Sequence, residues 1–341
     1  MAPDDRLKRA RDQALRSVDA LAGGRVLVAG DFLLDRYLVG QATRLSREAP
    51  VVIIEHESDD TSLGGAGNAA RNVRALGGEP IPLGLVGRDR EGERVVELLR
   101  AAGIDTRGML RDPERRTVTK TRILAGAANT VRQQVLRIDR GREYGASRID
   151  HLVRRARALV SDVDAVLLSD YGYATLAPAV RSCLIQAARN RNIPSCADSR
   201  YRLSEFQGVT VATPNEEELA GVLGRVLRSD ADVTAAGEEL LSRLNARAMV
   251  VTRGSRGMSV FEGAGHCRNI PPARLGEVAD VTGAGDTVAS ALVLALAAGT
   301  DVLGAAMLAN AAASVVVGRR GAATAVPEEV VRALEAWTVR A

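Results

Sequence analysis

Short uninterrupted apolar runs alternate along this chain with segments whose apolar positions recur every three to four residues. The runs cover residues 26–30, 81–86, 165–168, 209–212 and 248–252. Such runs are too short for buried helices and lack the alternation of half-exposed strands, so they predict parallel strands buried on both faces. Helical period marks residues 66–76, 92–102, 147–160, 179–191 and 233–244, and two Ala- and Gly-rich segments, 286–298 and 301–317, predict closely packed helices. Strand alternating with helix predicts an α/β domain whose sheet is covered on both sides. Two regions break the rhythm. Residues 37–57 and 117–138 carry β-type stretches with no helix between them, which predicts a small antiparallel sheet projecting as a lid, with a hairpin tip at 127–130. Residues 6–21 read as an amphipathic helix ended by Gly23-Gly24, a terminal extension that divides the chain into 1–24 and 25–341.

A length of 341 residues suits one large domain. Lys and Arg number 46 against 42 acids, and only Lys8 and Lys120 are lysine, so the net +4 rests on arginines interleaved with carboxylates. That distribution, with 3% aromatic residues, offers neither a basic stripe nor a stacking platform, and no nucleic-acid partner is expected. Cys183, Cys196 and Cys267 lack C-x-x-C spacing and His56, His151 and His266 lie far apart, so neither a disulfide framework nor a zinc site is indicated. The first 20 residues carry charges throughout, unlike a secretory signal, and the longest apolar run, 288–298, is short of the roughly 18 residues of a spanning helix. A cytoplasmic protein with no membrane segment is expected.

Four motifs bear chemistry. Asp280-Val-Thr-Gly283-Ala284-Gly285-Asp286 opens directly into an apolar helix, where free N–H groups and the helix dipole make an anion site. A carboxylate beside such a site suits a phosphoryl-transfer centre, receiving a hydroxyl proton while the amides stabilise the moving charge. An ordinary first-turn acid explains Asp286 about as well. The second motif, Gly64-Gly65-Ala-Gly67-Asn68, fits G-x-G-x-x-A with Asp89 downstream, as a dinucleotide site requires, but residues 57–62 before it read as a polar loop where that fingerprint needs a strand. Third, Thr213-Pro-Asn215-Glu-Glu-Glu218 is either an acidic helix start or, with Asn215 and Glu218 on one face, a holder of hydrated Mg²⁺. Last, Thr252-Arg-Gly254-Ser-Arg-Gly257 follows a strand as a hairpin signal.

Taken in chain order, from Gly64 through Asn215 and Thr252 to Asp286, the motifs resemble those of the PfkB (ribokinase-like) sugar kinases, from about Arg25 to the C-terminal region. Residues 28–37, 43–51, 119–124, 136–139 and Leu168-Ser-Asp170-Tyr171 look like the D-glycero-β-D-manno-heptose 7-phosphate kinases of ADP-heptose synthesis. The resemblance implies a ribokinase-like three-layer αβα sandwich with a β-sheet lid, using ATP and Mg²⁺. It implies Asp286 as catalytic base, with Gly283 in the anion loop and the amides of Ala284, Gly285 and Asp286 as anion hole. Asn215 and Glu218 would position Mg²⁺ through water, and Thr252, Gly254 and Gly257 would line the ATP site. Asp31, Asp35, Gly64, Gly65 and Asn68 would hold the sugar, with Lys120, Arg122 and Arg137 on its phosphate. The chain departs from the pattern at Tyr171-Gly-Tyr173-Ala, where relatives often carry lysine, at Asp198-Ser-Arg200 in place of Asp-Pro-Lys, and at Arg47 in place of proline. Arg200 is the expected substitute for the missing nucleotide-side lysine. Alternative readings are a kinase for a fructose phosphate, ribose or a nucleoside, a non-catalytic sugar-binding homologue, and a dinucleotide-dependent dehydrogenase. The chain contains no H-x-G-H segment, so adenylylation of the product is expected to belong to a separate protein. Exposed lid edges are expected to pair in a homodimer.

Overall fold

The computed structural model describes residues 3–127, 132–141, 148–263, 265–273 and 278–338. A first helix, α1 (Pro3–Ser17), leads into β1 (Arg25–Gly30), two long strands, β2 (Phe32–Leu45) and β3 (Val52–Gly65), and then α2 (Ala66–Ala75). Next come β4 (Glu79–Gly87), α3 (Arg90–Ala101), β5 (Met109–Asp112), β6 (Thr119–Gly126), β7 (Gln133–Arg140), α4 (Ile149–Val160) and β8 (Ala165–Asp170). Then follow α5 (Pro178–Arg191), β9 (Ser195–Ser199), β10 (Val211–Ala212), α6 (Glu216–Leu223), α7 (Asp230–Leu244) and β11 (Ala248–Thr252). The chain closes with β12 (Met258–Phe261), β13 (Cys267–Ile270), α8 (Ala284–Ala297), α9 (Val302–Val316) and α10 (Pro327–Ala336).

The main sheet has nine strands in the order β13-β12-β11-β10-β9-β8-β1-β4-β5. It is parallel from β11 to β5, and β12 and β13 add an antiparallel edge. Successive residues of β1 divide between two cores: Val26 and Val28 pack with α1, α2, α8, α9 and α10, whereas Leu27 and Ala29 pack with α4, α5 and α7. That alternation is the pleat of a strand covered on both faces, and it gives the expected three layers. Among the described residues no helix is long and apolar enough to cross a membrane.

Three expectations need correction. The helix at the N-terminus is no loose extension: Leu7, Ala10 and Ala14 are buried in the same core as α8 and α9. The polar stretch 57–62 is strand, not loop, because β3 pairs with β2 along its whole length and runs straight into α2. Asp89 still serves no ribose; it caps α3 through Gly92 N–H (2.9 Å) and takes the N–H and hydroxyl of Thr117. Finally, the lid sheet, ordered β3-β2-β6-β7, is mixed, since β2 and β6 run parallel. Its expected tip at 127–130 lies, beyond Ala127, outside the described residues.

Candidate active site

In an open parallel sheet, the carboxyl ends of the strands point into the crevice where ligands bind. Here a cleft of about 1300 Å³ runs along that edge, floored by α8 and roofed by the lid. At its centre Gly283 (φ +79°) is the N-cap of α8, a left-handed position where a Cβ would also lie 2.6 Å from Asn68 Nδ2. Asp286 is the third residue of the helix. Its carboxylate accepts Asn68 Nδ2 at 2.8 Å on one oxygen and the Tyr171 hydroxyl at 3.0 Å on the other. Burial pushes its pKa up to about 6, against the pull of those two donors. Each carboxylate oxygen retains a lone pair for an incoming hydroxyl. The N–H groups of Gly285 and Asp286 have no partner among the described residues and are free for an anion. The Ala284 N–H, expected in the same hole, instead donates to Val281 O at 3.2 Å in the tight turn that starts the helix.

At one end of the cleft, Asp35 accepts Arg122 at 2.6 Å beneath the lid. Gly64 is a close approach: a Cβ there would lie 2.4 Å from Asp35 Oδ2. Gly65 and Asn68 carry the wall onward to Asp286. Asp31 does not join them. Its carboxylate is buried, 1% exposed, and accepts the backbone N–H groups of Tyr171 (2.9 Å), Tyr173 (3.0 Å) and Thr175 (3.2 Å). It anchors a turn and is not among the residues that line the cleft.

Two cations lie over the ring of Tyr171, Lys120 at 5.1 Å and Arg200 at 5.3 Å from its centroid. Neither forms an ion pair among the described residues. Burial, reinforced by the nearby Arg200 charge, depresses the Lys120 pKa. Arg137 lines the same end but is bound to Asp139 at 2.6 Å on the exposed lid surface.

At the other end, Asn215 and Glu218 form a reciprocal capping box on α6, each taking the other's N–H (2.9 and 2.8 Å). Asn215 is therefore the cap and not a member of the helix face. The box engages one oxygen of each side chain and leaves the second oxygen of Glu218, a residue of the cleft lining, outside it. Thr252 bridges to Asn215, and Gly254 and Gly257 shape the following turn. A Cβ on Gly257 would lie 2.0 Å from Ile270 O. Asp198, at the end of β9, lines the cleft too, and burial followed by repulsion from Glu218 and Asp286 pushes its pKa well up. No three acidic, imidazole or thiol groups among the described residues converge to hold a metal alone. Two carboxylates and an amide fit Mg²⁺ that keeps its waters and takes phosphate oxygens as its other ligands.

The family model for pfkB carbohydrate kinases matches residues 25–329. This chain belongs to the PfkB family. It is 40% identical over 325 residues to the Bifunctional protein HldE of Geobacter sulfurreducens and 41% identical over 313 residues to that of Methylococcus capsulatus. These alignments cover 94% and 91% of the chain but 65% and 64% of those relatives, so the chain spans about two thirds of their length. Escherichia coli phosphofructokinase-2 in complex with fructose-6-phosphate has the same fold (TM-score 0.73, 20% identity, 92% of this chain and 98% of that one). Arabidopsis thaliana ribokinase, complexed with ribose and ATP, does too (TM-score 0.70, 19% identity, 92% and 99%). As a PfkB carbohydrate kinase the chain is a phosphotransferase acting on a sugar. Tyr171 and Asp198 were given no role by the motif reading: one was noted in a stretch of family resemblance and beside a missing lysine, the other beside a missing proline. For Tyr171 the available signal was its position just past the apolar run 165–168; Asp198 had no such signal.

Proposed function

We propose that this PfkB kinase transfers the γ-phosphate of ATP to the anomeric hydroxyl of D-glycero-β-D-manno-heptose 7-phosphate, giving the 1,7-bisphosphate. The observation that carries this reading is the group of cations at the lid end of the cleft. Lys120 and Arg122 on β6, with Arg137 opposite Arg122 on β7, turn a cationic face to the cleft, and Lys120 has no carboxylate partner among the described residues, which suits a sugar that brings a phosphate of its own. The stretches resembling heptose 7-phosphate kinases, and the identity to HldE proteins, agree with it.

In this reading the sugar hydroxyls meet Asp35, Gly64, Gly65 and Asn68, and Asp286 receives the proton of the attacking hydroxyl as its oxygen bonds to phosphorus and the bond to ADP breaks. The N–H groups of Gly285 and Asp286 face the charge that develops. Asn215 and Glu218 would hold Mg²⁺ through water, and the bound ion would supply charge neutralisation for the phosphates. The nucleotide lies against Thr252, Gly254 and Gly257, with Arg200 on its phosphate. The lid excludes water and pairs with the lid of a second copy.

ADP release across a panel of sugars and sugar phosphates tests the assignment. Heptose 7-phosphate is expected to give the highest kcat/KM. Preference for fructose phosphate, ribose or a nucleoside would replace the substrate and keep the chemistry, and no sugar-dependent ATP turnover at all would reject it.

A further inference from the structure

The hydroxyl of Tyr171 has no place in the reaction as described, yet it touches the reacting group. It is directed at Asp286 Oδ1 (3.0 Å), opposite the Asn68 amide on Oδ2 (2.8 Å). The two donors grip the carboxylate from both sides and fix its rotation. The phenol is half-buried at the cleft wall, and its pKa is raised well above the ordinary value by desolvation and then by the Asp286 charge, so it stays protonated and donates. Tyr171 is itself held twice. Its backbone N–H is bound by the buried Asp31 carboxylate, which also gathers the N–H groups of Tyr173 and Thr175. Its ring lies beneath Lys120 and Arg200.

We propose that Tyr171 is the positioning residue for the base Asp286, orienting its carboxylate toward the sugar hydroxyl and keeping it ionised, with Asp31 as the anchor that sets the phenol in place. The inference rests on the reading of Asp286 as base. Other charged groups facing Asp286 are Asp35 and Asp198, which oppose its ionisation, and Arg200, which favours it. Tyr171 is a neutral donor among them, so removing its hydroxyl alters the carboxylate and no net charge.

Tyr171→Phe keeps the ring that Lys120 and Arg200 cover and deletes one hydrogen bond. A carboxylate that loses a donor is harder to ionise, so the acid limb of the kcat/KM profile moves to higher pH. The expected result is a kcat about tenfold lower, an acid limb about half a pH unit higher, and KM for ATP and sugar within about twofold. A fluorinated tyrosine at the same position, a more acidic donor, should move the limb the other way, and it serves if the phenylalanine variant folds poorly. An unchanged limb and kcat in Tyr171→Phe, or a rise confined to KM, would overturn the proposal. Asp286→Asn, measured alongside, separates the two ideas: if it keeps its turnover, the base assignment fails; if it loses turnover while Tyr171→Phe does not, only the role of Tyr171 fails.

Discussion

Asp286 concentrates opposing demands in one residue. Its carboxylate is taken from water to sit at an anion site, so the fold favours the protonated form and raises its pKa from 3.8 to about 6. As the proposed base it must be ionised, and activity is expected to rise about tenfold per pH unit up to about pH 6 and then level off, read from kcat/KM against pH. Asp286→Asn should lower kcat by about 10² to 10⁴-fold with substrate binding kept, read from steady-state kinetics and nucleotide titration. Stability runs the other way. The group binds its proton more tightly folded than unfolded, so its contribution is complete below about pH 4 and lost as pH rises through about 6. At pH 7 that loss is about 3 kcal/mol, which Asp286→Asn recovers, and its Tm should exceed the parent's by about 3 °C or more. The two aspartates after β1 make a contrasting pair. In the sequence they look equivalent, because spacing says nothing of which side chain the turn 171–175 will claim. Asp31→Ala strands three N–H donors and should cost roughly 2–4 kcal/mol in denaturant unfolding. Asp35→Ala should leave the fold standing and raise KM for the sugar at least about tenfold.

At the scale of elements, the lid carries the information the motifs lacked. Cross-strand register puts Arg122 opposite Arg137 and Lys120 opposite Asp139, so one face of β6 and β7 is charged and turned to the cleft. Like charges directly opposite are unfavourable in a bare sheet. The carboxylates of Asp35 and Asp139 relieve Arg122 and Arg137, and a bound phosphate would complete the arrangement. Inorganic phosphate is therefore expected to raise Tm in the parent and to do so less in Arg137→Ala, whose KM for a phosphorylated sugar should rise about tenfold with KM for ATP unchanged. An equal response to phosphate in both proteins would remove Arg137 from the site. Local patterns made the buried runs and the helices between them legible, since each is a short-range property. β9 was not, because Ser195, Asp198 and Ser199 interrupt its apolar character where the strand reaches the cleft. The parallel pairing of β2 with β6 was not legible either, because it joins segments far apart in sequence and leaves no local trace.

For the molecule as a whole, the other face of the lid sets the question. Thr121, Ile123, Leu136 and Ile138 share the side opposite Arg122 and Arg137. No helix among the described residues covers it, and Leu45, Val51, Val52, Val135, Leu136 and Ile138 are each more than half exposed on this sheet. β7 is an edge strand, exposed along its full length, with its outer backbone groups unpaired by either sheet. An apolar surface joined to an open edge is the arrangement a protein covers by association, and two copies related by a twofold axis would bury the same patch on each other. Light scattering is expected to give the mass of a dimer. Leu136→Asp together with Ile138→Asp should give a monomer, because each places a charge in what is then a dry interface. Since Arg137 lies between these two residues on the strand, loss of the partner frees the cationic face to move. The monomer should then show a raised KM for the sugar while Asp286, seated on α8 in the main domain, keeps the same acid limb. A parent protein of monomeric mass, or a monomeric variant with unaltered KM, would mean that the lid closes over the cleft without a second copy.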